Sequence, residues 1–258
     1  VLQETGGAAY PRITDIGKRL LLRKILGRHE KELAVFARAA KQRGFTAELS
    51  SSIEEFKSYN IRAAVLADAA SALPDKALGR KLTELSMLYE DFSVAMQGRY
   101  NDAEDMLDTL ADRLPQASLL VGAEVWIDGF MFFNPQEKKI IQILLAQVKN
   151  LHITFSLAPE DMRQNEPETG LFHRSWRAMQ EIQNLAASLG KEFSIRSLTQ
   201  AKRFVVAPLE TVEQNLFSFY PAMAHTGRQV RVVETATRRL EIESAAADML
   251  RLCREKGY

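Results

Sequence analysis

Asp128 is the residue with the clearest chemical possibility: it closes the run Val125-Trp126-Ile127-Asp128 and is followed by Gly129 and Phe130. A carboxylate at the C-terminal end of a buried strand is where nucleotide-binding α/β proteins place the acid associated with magnesium. The same Asp-Gly pair also makes an ordinary turn, with glycine supplying a positive φ, and four residues do not separate the two readings. Hydrolysis would further need a group that orients or deprotonates water, commonly a Glu directly after the Asp. Gly129 stands there instead, so a nucleotide site built on Asp128 is expected to hydrolyse poorly. The phosphate-cradling pattern Gly-x-x-x-x-Gly-Lys-Ser/Thr is absent. Gly17-Lys18 and Gly190-Lys191 are the only Gly-Lys pairs; neither has a glycine five residues earlier or a Ser or Thr next.

A block of bases forms the second feature. Lys18, Arg19, Arg23, Lys24, Arg28, Lys31, Arg38, Lys41 and Arg43 face only Glu30 and Glu32 within the same stretch. Ammonium and guanidinium groups on a helical surface neutralise backbone phosphates and release counterions, which gives salt-sensitive, sequence-independent DNA binding. A simply solvated face is the competing reading. From Glu84 to Asp112 the balance reverses, with eight acids against Arg99 alone, making that stretch a poor DNA surface and a plausible protein contact.

Other groups carry less. Trp126, Phe130, Phe132 and Phe133 could stack bases, but aromatics flanking a strand more often fill a core. His173, beside Arg174 and Trp176, has no Cys, Ser or acid at a useful spacing, and Arg238-Arg239 reads as a solvated first turn or a phosphate contact. Cys253 and the four His (His29, His152, His173, His225) offer no zinc-ligand pair, and no catalytic set of Ser, His and Asp stands out. No metal ligand set and no catalytic residue is therefore expected.

The elements that must position these groups fall into two styles. From Thr14 to about Leu114 the apolar spacing is helical: a helix from Thr14-Asp15 to near Gly27, another near Glu30 to Gln42 ending before Gly44, and a shorter one carrying Leu49, Ile53 and Phe56. A long amphipathic helix is expected from Asp75 to about Gln97 and another from Asp102 to Arg113. No strand signal precedes Leu119. Ala123–Ile127, a helix from Pro135 to Lys149, and Leu151–Leu157 then read as a β-α-β unit with parallel strands, placing the loops 128–135 and 158–170 toward any ligand. Further on, helices are expected at Leu171–Leu189, Leu209–Phe219 and Arg238–Glu255, and strands at Glu192–Leu198 and Val230–Glu234.

The fold class expected is thus mixed α and α/β: a helical bundle over 1–117, a partial parallel-sheet domain over 118–228, and the start of a further domain over 229–258. Length and charge fit that outline. The chain has 258 residues, 46% of them hydrophobic, with 34 Lys and Arg against 33 Asp and Glu, which excludes a histone-like polyanion binder. A single cysteine permits no internal disulfide and suits a reducing compartment, and no run of ~20 apolar residues could span a bilayer, so a cytoplasmic protein is expected. The opening at Val1 and the stop after Lys256-Gly257 suggest a segment of something longer.

Several motifs in register carry a family resemblance: Val1-Leu2-Gln3-Glu4-Thr5-Gly6-Gly7, the stretch Gly17 to Lys24, Leu88-Tyr89-Glu90-Asp91-Phe92, Gly98-Arg99-Tyr100, Val125 to Phe130 with Asn134-Pro135-Gln136-Glu137, Thr169 to His173, and Thr237-Arg238-Arg239. Together they resemble the B subunits of bacterial AddAB ATP-dependent helicase-nucleases, over nearly the whole chain. The resemblance implies a complex that unwinds duplex DNA ends with ATP and magnesium and degrades strands for recombinational repair. It also implies a response to a short hotspot sequence, Chi, and a B subunit that is helicase-like in fold but chiefly scaffold, Chi reader and nuclease carrier.

It implies as partners duplex ends, single strands and the A subunit, AddA. The phosphate-binding loop would lie before this segment, and a nuclease domain with an iron-sulfur cluster after it. The helical half would be an insertion, resembling a helicase 1B domain, into a RecA-like domain. Asp128 would match the Walker B aspartate, with Gly129, Phe130 and Gln136 in its motif loop. Active relatives read Asp-Glu-x-Gln, from which Asp128-Gly129-Phe130-Met131 departs. The basic residues Lys18, Arg19, Arg23, Lys24, Arg28 and Lys31 would face DNA backbone. A pure protein-interaction scaffold without DNA or nucleotide binding is the alternative.

Overall fold

The computed structural model describes residues 1–7, 10–73, 76–157, 168–198, 202, 204, 206–218, 220–221 and 230–257. Six helices come first: α1 (Leu2–Thr5), α2 (Asp15–Arg28), α3 (Phe45–Ser58), α4 (Ala63–Ser71), α5 (Ala77–Met96) and α6 (Ala103–Arg113). A parallel strand pair follows, β1 (Glu124–Ile127) and β2 (Asn150–Ile153), joined through α7 (Pro135–Gln147), and then α8 (His173–Ser188), α9 (Ala207–Asn215) and α10 (Arg238–Lys256). The architecture is mixed α and α/β. Two compact units are formed, Val1–Ser194 and Ile195–Tyr258.

Local signals account for several helix starts. The Thr14 side chain accepts from Gly17 N–H at the head of α2. Asp102 with Asp105, and Asn134 with Glu137, close reciprocal capping boxes at α6 and α7, satisfying amide donors that a helix start leaves open. Pro135 at the first position of α7 has no N–H to lose there.

Residues 30–42 are not the expected second helix. Apart from a 3-10 turn at Ala39–Lys41 they run as turns, because the buried Glu84 of α5 accepts three successive backbone N–H groups, from Ala34 and Val35 (both 2.7 Å) and Phe36 (2.9 Å). Those donors serve a carboxylate rather than carbonyls four residues earlier. The helix α4 lies where the sequence pattern marks no element. Leu73, just after α4, lies against Gly79 in the first turn of α5, where a Cβ would sit 1.9 Å from the Leu73 carbonyl oxygen, an approach only glycine permits.

The expected strands at Glu192–Leu198 and Val230–Glu234 do not form; among the described residues no neighbouring strand offers either a ladder. The second strand ends at Ile153, short of the expected Leu157. Most of the 158–170 loop, and the 228/229 boundary, lie outside the described residues.

The first unit packs three neighbouring cores. In the helical part, Leu22, Ile25 and Leu26 of α2 meet Leu49 and Ile53 of α3, Ala63 and Leu66 of α4, and Leu88, Tyr89 and Phe92 of α5. A second core joins Leu114, Ala117 and Leu120 to Leu144 and the β1 residues Val125 and Ile127; a third joins Phe133 and Ile141 to Ala178 and Ile182 of α8. In the strand pair, Val125, Ile127, Leu151 and Ile153 turn to these cores, while Trp126 (68% exposed) lies flat against His152, ring centres 3.9 Å apart, on the bare face. The second unit holds α9 and α10, neither with a buried residue, and an Arg231–Asp248 ion pair at 3.4 Å.

Candidate functional site

β1 delivers Asp128 to its C-terminal end, and the parallel register aligns Ile127 with Ile153. Thr154 N–H donates to the Ile127 carbonyl (3.0 Å), and the Thr154 hydroxyl donates to Asp128 Oδ1. Thus two strand ends fix one solvent-facing carboxylate. Gly129 has φ +83°, the turn geometry that its residue type supplies, so the tight turn and the presented acid coexist at this point. Phe130 stacks on the buried Phe133 at 5.2 Å, which meets Phe155 edge-on at 6.3 Å; these aromatics belong to the third core and its rim.

Gln136 is not in a loop. It is the second residue of α7, 1% exposed, with its Nε2 donating to the Glu104 carbonyl at 3.2 Å and its Oε1 unpartnered among the described residues. It ties α7 to α6 rather than facing a ligand.

Magnesium bound with a nucleotide is held by one or two carboxylates plus phosphate oxygens. Asp128 and Thr154 supply one carboxylate and one hydroxyl, and no group of three or more His, Cys, Asp or Glu among the described residues could enclose a metal. This donor set fits one edge of such a site and does not complete it.

The basic block divides. Arg19, Arg23, Lys24, Arg28 and Lys31 are exposed, but Lys18 is 6% exposed, with its ammonium 2.8 Å from Glu54 and 3.8 Å from Glu104. Lys18 binds α2 to α3 and α6 and is withdrawn from any surface role. Arg23 turns toward the 30–42 segment, where it donates to the Ala40 carbonyl at 3.3 Å. Lys24 and Arg28 turn the other way, toward α5, and line a groove of about 250 Å³ with Leu21, Ile25, Asp91, Val94, Ala95 and Arg99.

The acidic stretch is mostly engaged within the chain. Glu84 holds the 34–36 amides, Asp91 accepts from His29 at 2.9 Å, and Asp112 pairs with Lys139 at 3.0 Å. Asp102 and Asp105 flank Lys57 at 2.7 and 2.8 Å. Burial alone would push the Asp102 carboxyl up, yet the Lys57 ammonium outweighs it and holds the group below its ordinary value. Glu104 lacks so close a cation, and burial pushes its carboxyl up. The broad acidic docking face expected from the charge count is therefore reduced to Glu90 and Asp108 and the outer edges of these pairs.

Two participants are not marked in the sequence. Thr154 carries no pattern of its own and gains meaning only from the β1–β2 register. Arg99 reads as a lone base among acids, but the fold carries it to Lys24 and Arg28.

Comparison with known proteins gives this β-α-β unit, its strand-end acid and its basic helix a family. The family described as "ADDB, N-terminal" matches residues 1–213, and the chain belongs to that family. It is 36% identical to a protein of Desulforamulus reducens over 99% of its length, 36% identical to one of Desulforudis audaxviator, and 32% identical to one of Bacillus subtilis (strain 168), the last two over 100% of its length. Each of the three is named as the B subunit of an ATP-dependent helicase/deoxyribonuclease, and the chain spans 23% of the length of each.

Proposed function

We propose that this chain is the N-terminal part of the B subunit of a two-subunit ATP-dependent helicase/deoxyribonuclease that resects DNA double-strand breaks for recombinational repair. Its own contribution is DNA-backbone binding and a helicase-like scaffold. The partners are DNA ends, the single strands drawn from them, and the A subunit, AddA; the compartment is the cytoplasm. ATP and magnesium belong to the assembled complex, and Asp128 is a degenerate Walker B position that does not hydrolyse nucleotide by itself.

One observation carries the DNA-binding part: Arg19, Arg23, Lys24, Arg28 and Lys31 stay exposed, while the neighbouring acids are mostly drawn into pairs or onto backbone amides. The surface left to solvent is thus more basic than the sequence count. The degenerate-site part is supported by Gly129 standing where an activating Glu would be needed.

The test is fluorescence anisotropy of the chain with a labelled duplex carrying a single-stranded tail, titrated over a salt series. Changing Arg19, Arg23 and Lys31 together to Glu should lower the affinity by roughly 100-fold and flatten the salt dependence, since each lost phosphate contact removes about one unit of slope. Absence of binding by the unaltered chain even at low salt would leave the scaffold reading in its place.

A further inference from the structure

Lys24 and Arg28 stand one turn apart on α2 and form one wall of the groove between α2 and α5; Arg99, just beyond the end of α5, stands on the other. Gly98, with φ +70°, makes the turn that breaks the helix before Arg99. Among the described residues, none of these three cations makes an ion pair or a side-chain hydrogen bond, in contrast to Lys18, Lys57, Lys138 and Lys139. Its apolar lining is Leu21, Ile25 and Ala95, with Val94 more exposed beside them. Asp91 is the one acid lining the groove, and its Oδ2 lies 2.9 Å from His29 Nε2. The His29 ring nitrogens both face carboxylates, Asp91 and Glu32 (2.7 Å), an arrangement that two N–H donors satisfy only in the imidazolium. The negative charge of Asp91 is thereby offset, and the three free cations set the sign of the groove.

We propose that this groove seats the sugar-phosphate backbone of a single nucleic-acid strand, with Lys24, Arg28 and Arg99 holding consecutive phosphates and the apolar lining lying under the sugars. The proposal rests on the DNA-binding reading above and adds to it a path and a residue, Arg99. An extended single strand has a charged edge and an apolar one, and the groove has both, in cross-section. At about 250 Å³ the groove has room for a short piece of backbone. Arg23, turned to the opposite shoulder of α2, lies off this path.

The experiment measures anisotropy of a fluorescein-labelled oligothymidylate, and of a blunt duplex of equal length, with the full chain and its Lys24→Ala, Arg28→Ala, Arg99→Ala and Arg99→Lys variants. All three positions are exposed, and thermal melting checks that each variant stays folded. Arg99→Ala should weaken binding of the single strand about tenfold and lower its salt slope by about one, Arg99→Lys should recover most of the loss, and the blunt duplex should change less. Single-strand affinity and slope unchanged in both Arg28→Ala and Arg99→Ala would overturn the proposal. If the Arg19, Arg23 and Lys31 variant still lost binding, the broader DNA-binding reading would survive alone. Equal losses for strand and duplex would sink the single-strand assignment, and no binding by the unaltered chain would remove both readings together.

Discussion

His29 holds two carboxylates on one ring, and this sets a pH dependence. The hydrogen bonds to Asp91 and Glu32 raise its pKa above the ordinary 6.5, with burial opposing them. A group whose folded pKa is raised lends stability that is complete below the unfolded value and is lost as pH rises through the folded one. The chain should therefore melt at progressively lower temperature as pH climbs above 6.5, and His29→Gln should flatten that decline. A melting series in which the two proteins lose stability in parallel over that range would refute the assignment. Neither this clamp nor the seclusion of Lys18 is visible in the sequence, because both depend on side chains brought from distant helices. Arg19, Arg23, Lys24 and Arg28 are legible as bases on a helix, but the side of α2 that is buried is not: Ile16 and Leu20 are exposed, whereas Lys18 is buried with Leu22, Ile25 and Leu26.

Among the elements, those with their own punctuation are readable: Thr14 before α2, the Asp102 box of α6, the Asn134-Pro135-x-Glu137 start of α7 and the parallel pair it connects. The 30–42 segment has helical spacing but no such autonomy. A buried carboxylate from α5 captures its amides, and tertiary demand overrides local pattern. Glu84→Ala should accordingly cost about 2 kcal/mol in urea unfolding by leaving those donors without a partner, while Glu84→Gln, which keeps an acceptor oxygen, should cost less. Loss of stability no greater than for a surface substitution would mean that water replaces the carboxylate freely. α4 escapes notice because Ala63-Ala64-Val65-Leu66-Ala67 has little polar contrast to mark a buried side.

At the scale of the molecule, burial is unevenly distributed. All three cores lie in Val1–Ser194, and Leu88 and Phe92 of α5 are almost wholly enclosed, whereas α10 buries no residue. Hydrogen exchange should follow: amides in the middle of α5 opening only with global unfolding, those of α10 exchanging on the order of a thousandfold faster or more. Equal protection of the two helices would show that α10 has a partner not evident in its surroundings.

The strand pair has a further consequence. Each strand hydrogen-bonds along one side only, so among the described residues the small sheet has two open edges beside the exposed indole of Trp126. Parallel strands are ordinarily flanked on both sides and covered on both faces. A strand edge without a neighbouring strand, next to an apolar ring, is a template for another chain. In concentrated solution Glu124–Ile127 and Asn150–Ile153 are therefore expected to be one place where two copies of this chain adhere, which light scattering over a concentration series would check. A charged residue in place of Trp126 would be the most direct way to keep them apart.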